Sequence, residues 1–292
     1  MKRMTEPTIT ARTRQILRRH GLTLKKSLGQ HFLTDRHILD RILDAAELGP
    51  ETGVLEIGPG VGALTERLAQ EAKAVVAVEL DNRLVPVLEE LFAPFPSVQI
   101  IHGDAMQVNL LDLIETRLGD CRQRSVVANL PYYVTSPILM RLLEERLPLD
   151  SIVVMIQKEV AERLTAEPGS KAYGSITVTT QYYTQPEWVT RVPAHVFLPR
   201  PQVDSAVIRL RVRETPAVSV SDEHLFFRVV RSAFGQRRKT LPNALSAGLF
   251  GGKRKGELTD WLVEADIDPK RRGETLSLVE FARLANLLDE RV

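Results

Sequence analysis

Apolar residues gather along this chain in short, largely apolar runs: Val54 to Ile57, Ala74 to Leu80, Val98 to His102, Ser125 to Ala128 and Ser151 to Gln157. Runs without polar alternation suit strands covered on both faces, as in a parallel sheet. Helical periodicity lies around them. Ile38, Leu39, Ile42 and Leu43 mark one face of a helix whose N-cap is Thr34 or Asp35, Leu64 and Leu68 mark another, and Lys158 to about Ala166 a third. Residues 10 to 20 read as a short basic helix ended by Gly21. Ile176 to Tyr183 is two-sided: its β-branched residues favour a strand, its place between two strands favours a helix, and a helix is expected. Glu187 to Val192 and Ser205 to Val212 read as strands forming a hairpin-like edge. Between Glu214 and Ser221 the composition turns to Pro, Thr, Val and Ser, a linker. Helical periodicity resumes at Leu225, Phe226, Val229, Val230 and Phe234 and continues through Trp261 to Leu287. The pattern predicts an α/β domain over 1–213 and a small helical domain over 214–292.

Polar groups stand where the strands end. Val54-Leu55-Glu56-Ile57 runs into Gly58-Pro59-Gly60-Val61-Gly62, a strand entering a glycine turn and then a helix. This is the order of a nucleotide-binding first βα unit, although the spacing is tighter than that of a dinucleotide site and the Lys-Ser/Thr pair of a P-loop is missing. Amides at the helix start can receive a carboxylate, and Glu56 beside them suits a zwitterionic ligand. Glu79, twenty-one residues beyond Gly58, can accept both hydroxyls of a ribose. Asp104, in Gly103-Asp104-Ala105, can accept from an adenine amino group. Asn129-Leu130-Pro131-Tyr132-Tyr133 closes the series.

Taken alone, this last stretch is a strand ending in a Pro-Tyr turn. In its setting it fits the grip of a flat base. The Asn129 side-chain oxygen and the Leu130 carbonyl can accept from an exocyclic amine and favour a pyramidal nitrogen. Pro131 biases Leu130 away from the helical region, and Tyr132 offers a stacking face. Phe197, in the proline-fixed loop Phe197 to Asp204, is a second stacking candidate. The polar loop Glu167 to Gly174 reads as a mobile lid or a linker.

Charge changes the picture more than composition does. The net charge is only +2, yet Met1 to Lys26 carries +7 and His224 to Gly256 carries +8, leaving −13 for the remainder. Two basic segments on an acidic body are the footprint of a polyanion binder, with solvated basic faces as the bland alternative. Arg237, Arg238, Lys239, Lys253, Arg254 and Lys255 are the candidate RNA contacts of the second segment. The single Cys121 excludes an intrachain disulfide and any cysteine metal cluster, so no metal is expected. No apolar run is long enough for a membrane span, and no signal peptide is expected.

Over nearly its whole length the chain resembles the bacterial small-subunit ribosomal RNA adenine N6,N6-dimethyltransferases. The resemblance is carried by Leu28 to Leu33, Glu56 to Gly60 with Leu64-Thr65, Glu79, Gly103-Asp104-Ala105, Asn129 to Tyr133, Phe197-x-Pro-x-Pro with Val203 to Ala206, and Phe234 with Arg237 to Leu241. It implies a class I S-adenosylmethionine-dependent methyltransferase fold, Rossmann-like with a mostly parallel sheet, and a small C-terminal helical domain. It implies S-adenosyl-L-methionine as cofactor, held by His31, Leu33, Gly58, Glu79, Asp104 and Asn129. Asn129, Leu130, Pro131 and Tyr132 would carry catalysis, and Tyr132 and Phe197 the base pocket. The implied substrate is a pair of adjacent adenosines in the 3′-terminal hairpin loop of 16S ribosomal RNA, in a 30S precursor. A cytoplasmic monomer is expected. His31 stands where the family more often has Asn, Gln202 where Lys is usual and Pro242 where a basic residue is frequent. The 23S ribosomal RNA adenine methylases share the catalytic motifs and remain a rival, as does an RNA-binding assembly or transcription factor of the same fold.

Overall fold

The structure, a computed structural model, describes residues 8–23 and 29–291. The expected basic residues Lys2, Arg3, Lys25 and Lys26, and Leu28 of the first motif, lie outside the described residues. The strands are β1 (Phe32–Leu33), β2 (Thr52–Ile57), β3 (Ala74–Glu79), β4 (Val98–His102), β5 (Gln123–Asn129), β6 (Ser151–Gln157), β7 (Thr184–Val192), β8 (Phe197–Leu198) and β9 (Ser205–Val212). The helices are α1 (Ile9–Arg19), α2 (Arg36–Ala46), α3 (Ala63–Glu71), α4 (Val85–Phe92), α5 (Leu110–Leu118), α6 (Thr135–Glu144), α7 (Lys158–Leu164), α8 (Ser175–Tyr183), α9 (Glu223–Gly235), α10 (Leu241–Phe250), α11 (Lys255–Glu264) and α12 (Leu278–Arg291).

Two compact units emerge. The first runs to Ala161 and takes up again at Glu187–Val212; the second holds Glu162–Pro186 and everything from Arg213. This differs from a single cut at residue 213. The cause is apolar: Tyr173, Val178 and Tyr182 bury their side chains in one cluster with Phe226, Val230 and Phe281, so α8 cannot leave the helical unit without exposing them. The same packing decides the ambiguous 176–183 stretch in favour of helix. Nor is the 167–174 loop a free lid: Tyr173 is fully buried and the Gly169 amide donates to the Glu274 carbonyl at 2.7 Å.

In the first unit a seven-stranded sheet runs in the order β4-β3-β2-β5-β6-β9-β7. Strands β4 to β6 are parallel and β9 pairs antiparallel with β6. β2 is buried at every position, which explains why its apolar residues do not alternate with exposed polar ones. Val54, Val75, Val127 and Val153 pack with Ile38, Leu39, Ile42 and Leu43 of α2 and with Leu64 and Leu68 of α3. Asp35 caps α2, accepting from the Ile38 amide. Because β2, β3 and β5 run the same way, Gly58, Glu79 and Asn129 reach one edge of the sheet, where open α/β folds bind ligands.

Candidate active site

One cleft at that edge is lined by His31, Leu33, Gly58, Glu79, Asp104, Asn129, Leu130, Pro131 and Tyr132. Nine of the sequence-predicted catalytic and cofactor residues thus meet in one place. Gly58 has φ +73, a left-handed conformation that favours glycine, and a Cβ there would stand in near-open space, 3.9 Å from the Asn129 carbonyl. Gly60, at φ +60, is needed for packing as well, since a Cβ would come 2.8 Å from the Phe32 ring.

Glu79 organises the turn before any ligand arrives. One carboxylate oxygen accepts from the Gly60 amide at 3.1 Å and the other from the Asp81 amide at 2.7 Å. Burial pushes its pKa up, while the Asp81 and Gly60 amides pull it down. A carboxylate offers about four acceptor positions, so beside these backbone amides room remains to accept from a ribose diol. Asp104 turns its own loop, with one oxygen accepting from the Met106 amide at 2.8 Å.

Asn129 is oriented from behind. Its Nδ2 donates to the His31 carbonyl at 2.9 Å; a carbonyl can only accept, so Oδ1 must face the other way. The Leu130 amide is tied to the Met155 carbonyl at 3.1 Å, and the Pro131 carbonyl accepts from the Thr135 hydroxyl at 3.0 Å. Among the described residues, neither Asn129 Oδ1 nor the Leu130 carbonyl oxygen has a hydrogen-bonding donor. Two fixed, unpartnered acceptors on adjacent residues are what an amine with two hydrogens requires.

Tyr132 is braced on both sides. Its hydroxyl lies 2.7 Å from Ser205 Oγ, and its ring stacks on His31 with centroids 5.5 Å apart. The imidazole Nδ1 lies 2.7 Å from the Pro199 carbonyl. The side chain that replaces the usual Asn therefore joins the 29–33 and 197–201 loops, which also pair through β1 and β8. Phe197 departs from expectation. It is 4% exposed, packs among Leu33, Val192, Val196 and Val207, and does not line the cleft. Pairing with Leu33 across β1 and β8 turns its ring into the core. Tyr133, 57% exposed on the cleft wall, is the free aromatic face there; its position next to Tyr132 in the motif was the available signal.

Glu56 also departs from expectation. It is fully buried and its Oε2 has no hydrogen-bond partner. Burial pushes the carboxyl up to about 8, with the Thr65 hydroxyl opposing and the Glu79 charge reinforcing, so at neutral pH it is held protonated rather than as the anion the sequence suggested. Unfolded, the group titrates near 4.5. The stability it contributes is fully present below pH 4.5, falls as the folded state retains a proton that the unfolded state has released, and is lost by about pH 8. Glu56→Gln, neutral throughout, is expected to flatten this decline in urea titrations over that window. A decline as steep as wild type would place the proton elsewhere.

In the helical unit the six predicted RNA-contact cations divide. Arg237 donates to the carbonyls of Lys171 and Tyr173 at 2.9 and 3.2 Å and lies 3.4 Å from Glu274. Arg254 covers the Phe250 and Trp261 rings and pairs with Glu257. Arg238, Lys239, Lys253 and Lys255 are exposed and form no ion pair among the described residues. Pro242 occupies the first turn of α10 and is buried, a backbone use that replaces a charge. Gln202 is exposed in its loop. Among the described residues no helix is long and apolar enough to cross a membrane, and no group of three or more His, Cys, Asp or Glu sits together to hold a metal ion.

The sequence model of the family described as "Ribosomal RNA adenine dimethylase" matches residues 21–288. A "Ribosomal RNA small subunit methyltransferase A" from Bacillus pumilus (strain SAFR-032) is 56% identical over 96% of this chain and 96% of its own length. The protein of that name from Geobacillus kaustophilus (strain HTA426) is 55% identical over 95% of each. Among solved structures, a dimethyladenosine transferase from Plasmodium falciparum superposes with a TM-score of 0.73, 26% identical, covering 87% of this chain and 96% of that one. The 23S rRNA methyltransferase ErmE superposes with a TM-score of 0.68, 28% identical, covering 88% and 99%.

Proposed function

This chain belongs to the ribosomal RNA adenine dimethylase family, and from that membership we propose that it dimethylates two adjacent adenosines in the 3′-terminal hairpin loop of 16S ribosomal RNA, acting as a cytoplasmic monomer on a 30S precursor. It is an S-adenosyl-L-methionine-dependent methyltransferase with the class I fold. The small-subunit target is favoured over the large-subunit one by identity: 56% to the small-subunit enzyme of B. pumilus against 28% to ErmE.

The single observation that carries the chemistry is the pair of unpartnered acceptors, Asn129 Oδ1 and the Leu130 carbonyl, fixed beside Tyr132 and Tyr133 at the cleft. The residues present fit the cofactor. Gly58 leaves room for close approach, Glu79 retains lone pairs for a ribose diol, Asp104 serves the adenine amino group, and His31 and Leu33 line the same cleft. The cofactor, when bound, supplies a methyl group on a positively charged sulfur. The chain's own part is to position. Tyr132 and Tyr133 hold the extruded base; the two acceptors draw on both amine hydrogens in the first transfer, and one of them on the single remaining hydrogen in the second, so that the lone pair turns toward the methyl group. No general base is needed in the transition state, because the alkylated nitrogen is cationic and loses its proton to water afterwards. The rate enhancement then rests on orientation and preorganised acceptors.

The test is transfer of labelled methyl from S-adenosyl-L-methionine to undermethylated 30S subunits, 50S subunits and naked 16S RNA, followed by mapping of the modified bases. Dimethyladenosine near the 3′ end, on 30S alone, is expected. Label on 50S would move the chain to the large-subunit class, and binding to 30S without label would favour an assembly factor.

A further inference from the structure

The eight basic residues from His224 to Gly256, with no acid among them, are not equivalent, and two that no sequence motif singles out share a built surface. Arg228, Arg231, Ser232 and Gly235 fall on one face of α9 at i, i+3, i+4 and i+7, and with Gln236 they form one side of a groove. Ala244, Ala247 and Gly248 of α10 form the other. The helices meet closely at its floor, where a Cβ on Gly248 would come 2.4 Å from Ser232 Oγ. Both arginines are exposed, and neither forms an ion pair among the described residues. Arg237, by contrast, is engaged with Lys171, Tyr173 and Glu274 of its own unit.

We infer that the α9–α10 groove is a docking surface for the sugar-phosphate strand of an RNA helix, with Arg228 and Arg231 on neighbouring phosphates. Side chains three residues apart on a helix stand about 5–6 Å apart at Cβ, which matches the step between adjacent phosphates of one strand. The far wall carries only small side chains, so a ribose edge can approach the α10 backbone. The Ser232 hydroxyl and the Gln236 amide offer the donor and acceptor pair that a 2′-hydroxyl uses. Nothing in the groove reads a base, so recognition there is of shape and charge. Arg237 is a structural pin, not a phosphate contact.

This deepens the proposed function and rests on its RNA substrate. The experiment compares wild type with the double variant Arg228→Gln/Arg231→Gln, which keeps helix propensity. Equilibrium binding to undermethylated 30S subunits and to a generic RNA duplex is measured over a salt series, with melting temperature and cofactor binding as controls. Removing two phosphate contacts is expected to reduce the slope of log K against log salt by about 1.5 to 2 on both RNAs. Affinity at physiological salt should fall about 10- to 100-fold, with the controls unchanged. An unchanged slope in a folded double variant would overturn the groove. So would a loss seen on 30S but not on the duplex, which would assign the surface to a ribosomal protein. Arg237→Gln is expected to lower the melting temperature with a change in slope below about 0.5; a full one-contact slope change without destabilisation would reverse its assignment. Failure of wild type to methylate 30S subunits would sink the proposed substrate instead, and the salt slope on the duplex would still report on the groove.

Discussion

Asn129→Ala is expected to lower single-turnover methyl transfer by about 10²- to 10³-fold, the scale seen when one preorganised polar group is removed from a transition state. Cofactor affinity should change far less. The reason lies in how the side chain is held: Nδ2 is committed to the His31 carbonyl at 2.9 Å, which leaves Oδ1 fixed and unpartnered among the described residues. Asn129→Asp retains an acceptor, yet it is expected to fail almost as badly. A carboxylate would face the His31 carbonyl with no hydrogen to share, and the repulsion would swing it out of position. Rapid-quench turnover and cofactor binding by calorimetry, measured on the same preparations, separate the two effects. An equal loss in both quantities would reassign Asn129 to cofactor binding, and full activity in the Asn129→Asp variant would remove the orientation argument.

Much of this site was legible because parallel strands concentrate their polar groups at one edge. Once Val54 to Ile57, Ala74 to Leu80 and Ser125 to Ala128 read as buried strands, Gly58, Glu79 and Asn129 had to converge, and in the structure they line one cleft. What escaped was set by side-chain direction and by pairing between segments far apart in sequence. Phe197 looked like a base-stacking residue from its loop, but antiparallel pairing with Leu33 turns it into the core. The partners of Tyr132, Ser205 Oγ and the His31 ring, come from residues 73 positions later and about a hundred earlier, and no local pattern encodes such contacts. Glu56 read as an anion because sequence shows a carboxylate but not its burial. Charge counting likewise could not show that Arg237 and Arg254 also hold contacts within their own unit.

The second large effect is expected at Glu79. Glu79→Ala should weaken cofactor binding by about two to four orders of magnitude, from the loss of two hydrogen bonds to a charged acceptor at roughly 1.5–3 kcal/mol each. It should also destabilise the free protein, because the Gly60 and Asp81 amides now bound at 3.1 and 2.7 Å would lose their acceptor. Each buried amide left unpaired costs about 1–3 kcal/mol. Glu79→Gln distinguishes the two contributions. Its single oxygen can serve one amide while its NH2 group confronts the other, so the turn should loosen even though the side chain keeps its length. Thermal shift with and without S-adenosyl-L-methionine reads both effects at once: the melting temperature without ligand reports the turn, and the ligand-induced increment reports affinity. Both variants should melt lower than wild type and show little increment at a concentration that saturates wild type. A variant that melts lower but keeps the full increment would confine Glu79 to holding the glycine turn, with the ribose recognised by other groups in the cleft.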